Sequence, residues 1–182
     1  MTDQNIIDSV LDGHTEMFAH VIRRYGKDVS QFVGRTIRPC EDAEEVAQDV
    51  FVKAFQQLNR YLSAKGSLKN WLLGIAWHEV LMYHRKNMPI IADIEPETTL
   101  EDYYDEETNR MLTELKEQRI NALHEAVATL MPEDQMLLHL YYADDLPLKD
   151  ISEIVGHDHF YLATRLQRIR KKLCAIIKGI ER

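Results

Sequence analysis

Between residues 42 and 58, Ala43, Val46, Ala47, Val50, Phe51, Ala54, Phe55 and Leu58 recur at the spacing that lines one face of an α-helix. Pro39 precedes this stretch, and Asp42 with Glu45 three residues on has the form of a capping pair. The other face shows Glu44, Glu45, Gln48, Asp49, Lys53, Gln56 and Gln57, a polar surface able to dock a partner. A second helix is predicted from about Asn70 to Lys86. It carries Trp71, Leu72, Ile75, Ala76, Val80 and Tyr83 on one stripe and Leu73, Trp77 and Leu81 on another. A helix apolar on two sides is expected to lie between neighbours. An upstream helix near Glu16 to Phe32, with Phe18, Val21, Ile22, Tyr25, Val29 and Phe32 inward, completes a small helical unit.

A second unit opens with a helix around Leu115 to Leu130, whose apolar face is read as Ile120, Leu123, Val127 and Leu130. Pro132 suits the first turn of the next helix, PEDQMLLHLYYA. Then Leu148, Ile151, Ile154 and Val155 mark a two-turn helix, Gly156 a tight turn, and Leu162, Leu166, Ile169 and Leu173 a longer helix. Short helix, glycine turn and longer helix is the helix-turn-helix arrangement.

Charge sharpens the division. Residues 1–90 hold 11 basic and 11 acidic residues, and 118–182 hold 9 and 9. Residues 91–117 hold 2 basic and 10 acidic ones, so the whole formal net charge of -8 lies in one segment, read as an acidic linker. Within the neutral units the cations cluster. Arg165, Arg168, Arg170, Lys171, Lys172, Lys178 and Arg182 face only Glu181 in the last stretch, and Arg60, Lys65, Lys69, Arg85 and Lys86 face only Glu79 between 60 and 90. Two nucleic-acid contacts are thereby expected. The chain has only 7 Gly and 5 Pro in 182 residues, which supports an all-α fold of two small helical domains, 1–90 and 118–182, the second containing the helix-turn-helix. Cys40 and Cys174 are too few for a disulfide framework, and no stretch reaches the roughly 20 apolar residues needed to cross a bilayer. The expectation is a cytoplasmic protein without membrane insertion.

DAEEVAQDVFVKAF followed by SLKNWLLGIAWHEVLMYHRK resembles the second conserved region of bacterial RNA polymerase sigma factors. LMPEDQMLLHLYY with LPLKDISEIVGHDHFYLATRLQRIRKKL resembles their fourth region. Size and the two-unit layout point to the extracytoplasmic-function (ECF) group of the sigma-70 family. The resemblance implies a transcription initiation factor with no catalysis of its own, which binds core RNA polymerase, recognises promoter DNA and helps to melt it. It also implies control by an anti-sigma factor, and a linker that threads into the polymerase near the template strand.

Residue by residue, the resemblance places Glu45, Gln48, Asp49, Lys53 and Gln56 on the polymerase. It places Lys65, Ser67, Lys69, Asn70, Trp77, His78, Arg85 and Lys86 near the melted minus-ten element, where an extruded base needs a polar pocket, an aromatic wall and nearby cations. Trp77 and His78 depart from the Arg-Asn pair common there, Met82 from a common Asp, and Trp77 is also a core candidate. In the major groove at the minus-thirty-five element, His159, Tyr161, Thr164, Arg165 and Arg168 are expected near base edges. Lys149, Arg170, Lys171 and Lys172 are expected on phosphates. Ala163 stands where a basic residue is common and Phe160 where a small one is usual.

Two other classes compete with this reading. One is a helix-turn-helix DNA-binding regulator with a helical effector domain, independent of the polymerase core. The other is a helical metalloenzyme using Glu16 with His20, or His157 with His159; neither pair belongs to a repeated Glu-x-x-His set on facing helices. No Gly-rich phosphate loop or nucleophile elbow is present, and neither cofactor nor metal is expected.

Overall fold

A computed structural model of the chain describes residues 2–87, 120 and 122–180, with side chains to 177. The acidic linker and the start of the helix expected from Leu115 lie outside the described residues.

The first helix, α1 (Asp3–Leu11), has no counterpart among the elements predicted from the sequence. The Thr2 side chain caps it, accepting from the Asn5 N–H at 3.3 Å, and Ile6, Ile7 and Val10 form its buried face. Asp3 ties it to α2 (Phe18–Gly34), accepting from the Arg24 guanidinium and, at 2.6 Å, from the Tyr25 hydroxyl. Burial first, then this hydrogen bond, pushes the Tyr25 phenol up to about 12.

α3 spans Cys40–Gln56 and α4 spans Leu68–Asn87, close to the predicted ranges. The expected capping pair does not form. Helix α3 begins at Cys40, earlier than predicted, so Asp42 already lies in its first turn and accepts instead from the Tyr83 hydroxyl of α4 at 2.5 Å. Phe55, read as core, is exposed at the edge of α3 and packs edge-to-face on Phe18 with ring centroids 5.2 Å apart. Ile22 is likewise outside the α2 core face.

In the second unit, α5 (122–128) turns its small residues inward. Ala122, Ala126 and Leu130 are buried while Ile120 and Leu123 are exposed, a register rotated from the predicted one. Alanines at i and i+4 allow close approach of the helix, which the larger residues on the neighbouring face would prevent. α6 (Pro132–Leu138) has proline in its first turn and continues into a wider π-type turn, His139–Ala143, closed by the Asp144 N–H on the His139 carbonyl at 3.0 Å. α7 (Leu148–Val155) and α8 (His159–Ile180) complete the chain.

The two units share one continuous hydrophobic core. α4 packs on α2 and α3 with one side and on α6 and α7 with the other, which accounts for its two apolar stripes. Asn70 and Gly74 meet α7, and by helical spacing Trp77 and Leu81 fall on that same side. Trp77 is buried, as its core reading required.

Candidate nucleic-acid and partner interfaces

The turn between α7 and α8 is built around Gly156, whose φ of +75° is the left-handed conformation that closes a helix without a Cβ penalty. The Ser152 hydroxyl donates to the His157 carbonyl at 2.6 Å and so braces the turn from α7. Asp158 then caps α8, its carboxylate accepting the Phe160 N–H at 2.7 Å. The result is a rigid start for the second helix of the helix-turn-helix.

Leu162, Leu166, Ile169 and Leu173 point into the core and so define the opposite face of α8. Phe160, Thr164, Gln167 and Lys171 occupy it, with Arg168 beside them, and all five are exposed. Phe160 is 72% exposed. The Thr164 hydroxyl donates back to the Phe160 carbonyl at 3.0 Å. Among the expected base-proximal residues, His159 and Tyr161 flank this face, and His159 lies against the Phe160 ring at 4.2 Å. Phe160 and Gln167 were not singled out from the sequence as contacts, although the buried leucine stripe alone marks their direction.

Arg165 points elsewhere. Its Nη2 donates to Glu133 at 2.8 Å and its Nε to Asp134 at 2.7 Å, joining α8 to the first turn of α6. Burial on its own would lower the guanidinium pKa, but the hydrogen bonds to Glu133 and Asp134 outweigh it and hold the group well above its ordinary range. Arg170 lies on the opposite flank, its Nε donating to the Tyr142 hydroxyl at 2.6 Å while the guanidinium covers the Tyr141 and Tyr142 rings. Lys149, Arg168 and Lys171 are exposed and, among the described residues, form no ion pair; Lys172 is half-buried.

On α3, Glu45, Gln48, Asp49 and Gln56 share one exposed face, with Val52 at its centre. Lys53 leaves this group, because its Nζ donates to Glu79 of α4 at 2.5 Å.

The minus-ten candidates are spread over three environments. Lys65, Ser67, His78, Arg85 and Lys86 are exposed. Lys69 pairs with Asp28 of α2 at 2.8 Å. Trp77 is buried, and Asn70 is 9% exposed, its amide donating to Glu153 of α7 at 3.0 Å. Ser67 caps α4 by accepting the Asn70 N–H at 3.1 Å. Cys40 and Cys174 are free and exposed.

A capped helix-turn-helix with cations on its outward face, joined to a bundle with an acidic and amide-rich face, has the build of a DNA-binding protein that also docks on another protein. Residues 21–89 match the family model of sigma-70 region 2. The chain is 27% identical over 164 residues to the RNA polymerase sigma factor YlaC of Bacillus subtilis (strain 168), covering 88% of this chain and 91% of that one. It is 24% identical over 173 residues to the ECF RNA polymerase sigma factor SigW of the same organism, covering 92% of each. The fold is similar to that of the sigma factor RpoE in complex with the anti-sigma factor NepR from Bartonella quintana. That likeness has a TM-score of 0.59 at 18% identity and covers 88% of this chain and 96% of that one. Residues 21–89 thus form a sigma-70 region 2, and over most of its length the chain is similar to RNA polymerase sigma factors, SigW of the ECF group among them.

Proposed function

We propose that this chain is a transcription initiation factor that binds core RNA polymerase through the exposed face of α3, directs it to promoters and assists their melting. The observation that carries the reading is the joint presence of a sigma-70 region 2 and, on α8, a rigidly capped helix with a cationic outward face. In this reading Thr164, Gln167, Arg168 and Lys171 enter the major groove at the minus-thirty-five element. Lys65, Ser67, Asn70, His78, Arg85 and Lys86 serve the minus-ten element. Arg165 is a positioning residue that holds α8 on α6, and Arg170 and Lys69 are engaged within the chain by Tyr142 and Asp28. The factor acts by binding, in the cytoplasm. Among the described residues no helix is long and apolar enough to cross a membrane and no cluster is arranged to hold a metal ion. The anti-sigma factor bound to the similar RpoE structure supports a protein inhibitor as a further partner.

Run-off transcription on a pool of genomic fragments, with purified core polymerase with and without this protein, tests the function. Promoter-specific transcripts are expected only when it is added. Tight binding to duplex DNA without any binding to core would instead identify a polymerase-independent regulator.

Phe160 gives the reading a finer consequence. A large aromatic ring on the outward face of α8 suits apolar contact with a thymine methyl in the major groove. Replacing thymines of the minus-thirty-five element by uracil, which removes only that methyl, is expected to weaken binding of the holoenzyme several-fold. In the Phe160→Ala holoenzyme the same change should have no effect. Equal uracil sensitivity in both would remove Phe160 from the reading surface.

A further inference from the structure

Helix α2 carries a charged stripe that neither the core nor the interfaces described above use. Phe18, Val21, Val29, Phe32 and Val33 are its buried residues. His20, Arg23, Arg24, Lys27 and Gln31 therefore fall together on the far side, and all five are exposed. Arg24 is engaged by Asp3 of α1. Arg23 and Lys27 form no ion pair among the described residues. They stand at i and i+4, one helical turn or about 6 Å apart along the axis. Like charges at that spacing weaken a helix, and an ordinary solvated face relieves them with an interleaved carboxylate. Here the positions one turn further out are Ala19 and Gln31, so the repulsion is left in place.

The neighbouring carboxylates make the stripe more positive still. Asp28 is the acidic residue of α2 and Glu79 that of α4, and each is neutralised by a lysine: Asp28 by Lys69 at 2.8 Å, Glu79 by Lys53 at 2.5 Å. The Lys69–Asp28 pair also fixes where the stripe leads. It ties α2 to the first turn of α4, beside the loop that exposes Lys65 and Ser67. Positive charge thus continues from Lys65 across this seam to Lys27 and Arg23. No large apolar side chain lies among His20, Arg23, Lys27 and Gln31, whereas a protein interface has an apolar centre. A cationic track without an apolar anchor is the surface that a nucleic-acid backbone requires.

We propose that the Arg23–Lys27 stripe of α2 is a phosphate-binding track, which takes the backbone of the single DNA strand engaged at the start of α4. This inference rests on the function proposed above and extends the DNA path beyond the residues assigned there. Its contribution is electrostatic and independent of base sequence, because both side chains meet phosphates and neither reads a base edge.

The test is the salt dependence of binding. The probe is a dye-labelled non-template oligonucleotide spanning the minus-ten element of a promoter mapped by run-off transcription. Holoenzyme is titrated onto it, followed by anisotropy, at several salt concentrations. Each phosphate contact on a single strand contributes about 0.7 to the slope of log affinity against log salt. Arg23→Gln with Lys27→Gln is therefore expected to flatten the slope by about 1.4 and to weaken binding on the order of tenfold at about 0.1 M salt. Arg23→Lys with Lys27→Arg keeps both charges and should retain the parent slope. Melting temperature and affinity for core polymerase should not change in either variant, since both side chains are exposed.

An unchanged slope in the glutamine variant overturns the track. So does a loss of core affinity with the slope preserved, which would assign the stripe to an acidic surface of the polymerase. If the parent holoenzyme produces no promoter-specific transcripts and does not bind the oligonucleotide, the proposed function fails and the track fails with it. Normal transcription and binding by the parent, with the glutamine variant matching it at every salt concentration, would defeat the track alone.

Discussion

Arg165→Ala is expected to destabilise the protein by about 2 to 3 kcal/mol, because it leaves the partly buried Glu133 and Asp134 side by side without their cation. The value is set below that of a fully buried pair because the Glu133 side chain remains 38% exposed. For a chain of this length the melting temperature should fall by about 5 to 10 °C. Arg168→Ala should do the opposite: melting stays within about 0.5 kcal/mol of the parent, since the side chain is exposed, while promoter affinity falls about tenfold. Thermal melts monitored by circular dichroism, paired with holoenzyme binding to one promoter, separate the two roles. Adding Glu133→Gln and Asp134→Asn to Arg165→Ala should recover part of the lost stability, because the uncompensated charges disappear with their partner. A chain that melts like the parent after Arg165→Ala yet loses promoter binding would return Arg165 to the reading surface.

The contrast between Arg165 and Arg168 shows what the sequence discloses and what it does not. Periodicity establishes which way a helical residue points, so α3, α4 and the helix-turn-helix were readable, and the double stripe of α4 already announced neighbours on both sides. Periodicity does not say which neighbour supplies a counter-charge. Lys53 finds Glu79, Lys69 finds Asp28 and Arg165 finds Glu133 and Asp134, all at sequence separations of 26 residues or more. Such pairs depend on tertiary packing, and three residues expected on partners are held by this chain instead. Size misled in α5, where alanines rather than Ile120 and Leu123 meet the core. Helix α1 was missed although Ile6, Ile7 and Val10 have helical spacing behind a capping Thr2. Its nine residues show barely two turns of pattern, and Asp3 binds Arg24 and Tyr25 only once α2 is in place.

The face of α3 carries the other large expected effect. Val52 is 53% exposed yet sits amid Glu45, Gln48, Asp49 and Gln56, so an apolar side chain is left in water with a polar ring around it. That arrangement is the anatomy of a protein interface, an apolar centre with a polar rim, and not of an ordinary solvated helix face. Asp49→Arg together with Val52→Glu is therefore expected to weaken binding to core polymerase about a hundredfold, equivalent to about 2.7 kcal/mol. The melting temperature should hold, because neither side chain contributes to the core. Lys53→Ala should show the reverse pattern. It breaks the contact with Glu79, whose side chain is only 13% exposed, and should cost about 1 kcal/mol of stability with little change in polymerase affinity. Fluorescence anisotropy of the dye-labelled chain titrated with core polymerase reads the affinities directly. If Lys53→Ala weakened binding as much as the double substitution, the polymerase would have to touch the α3–α4 seam instead of the outward face centred on Val52. If the double substitution left affinity unchanged, α3 would not be the docking helix at all.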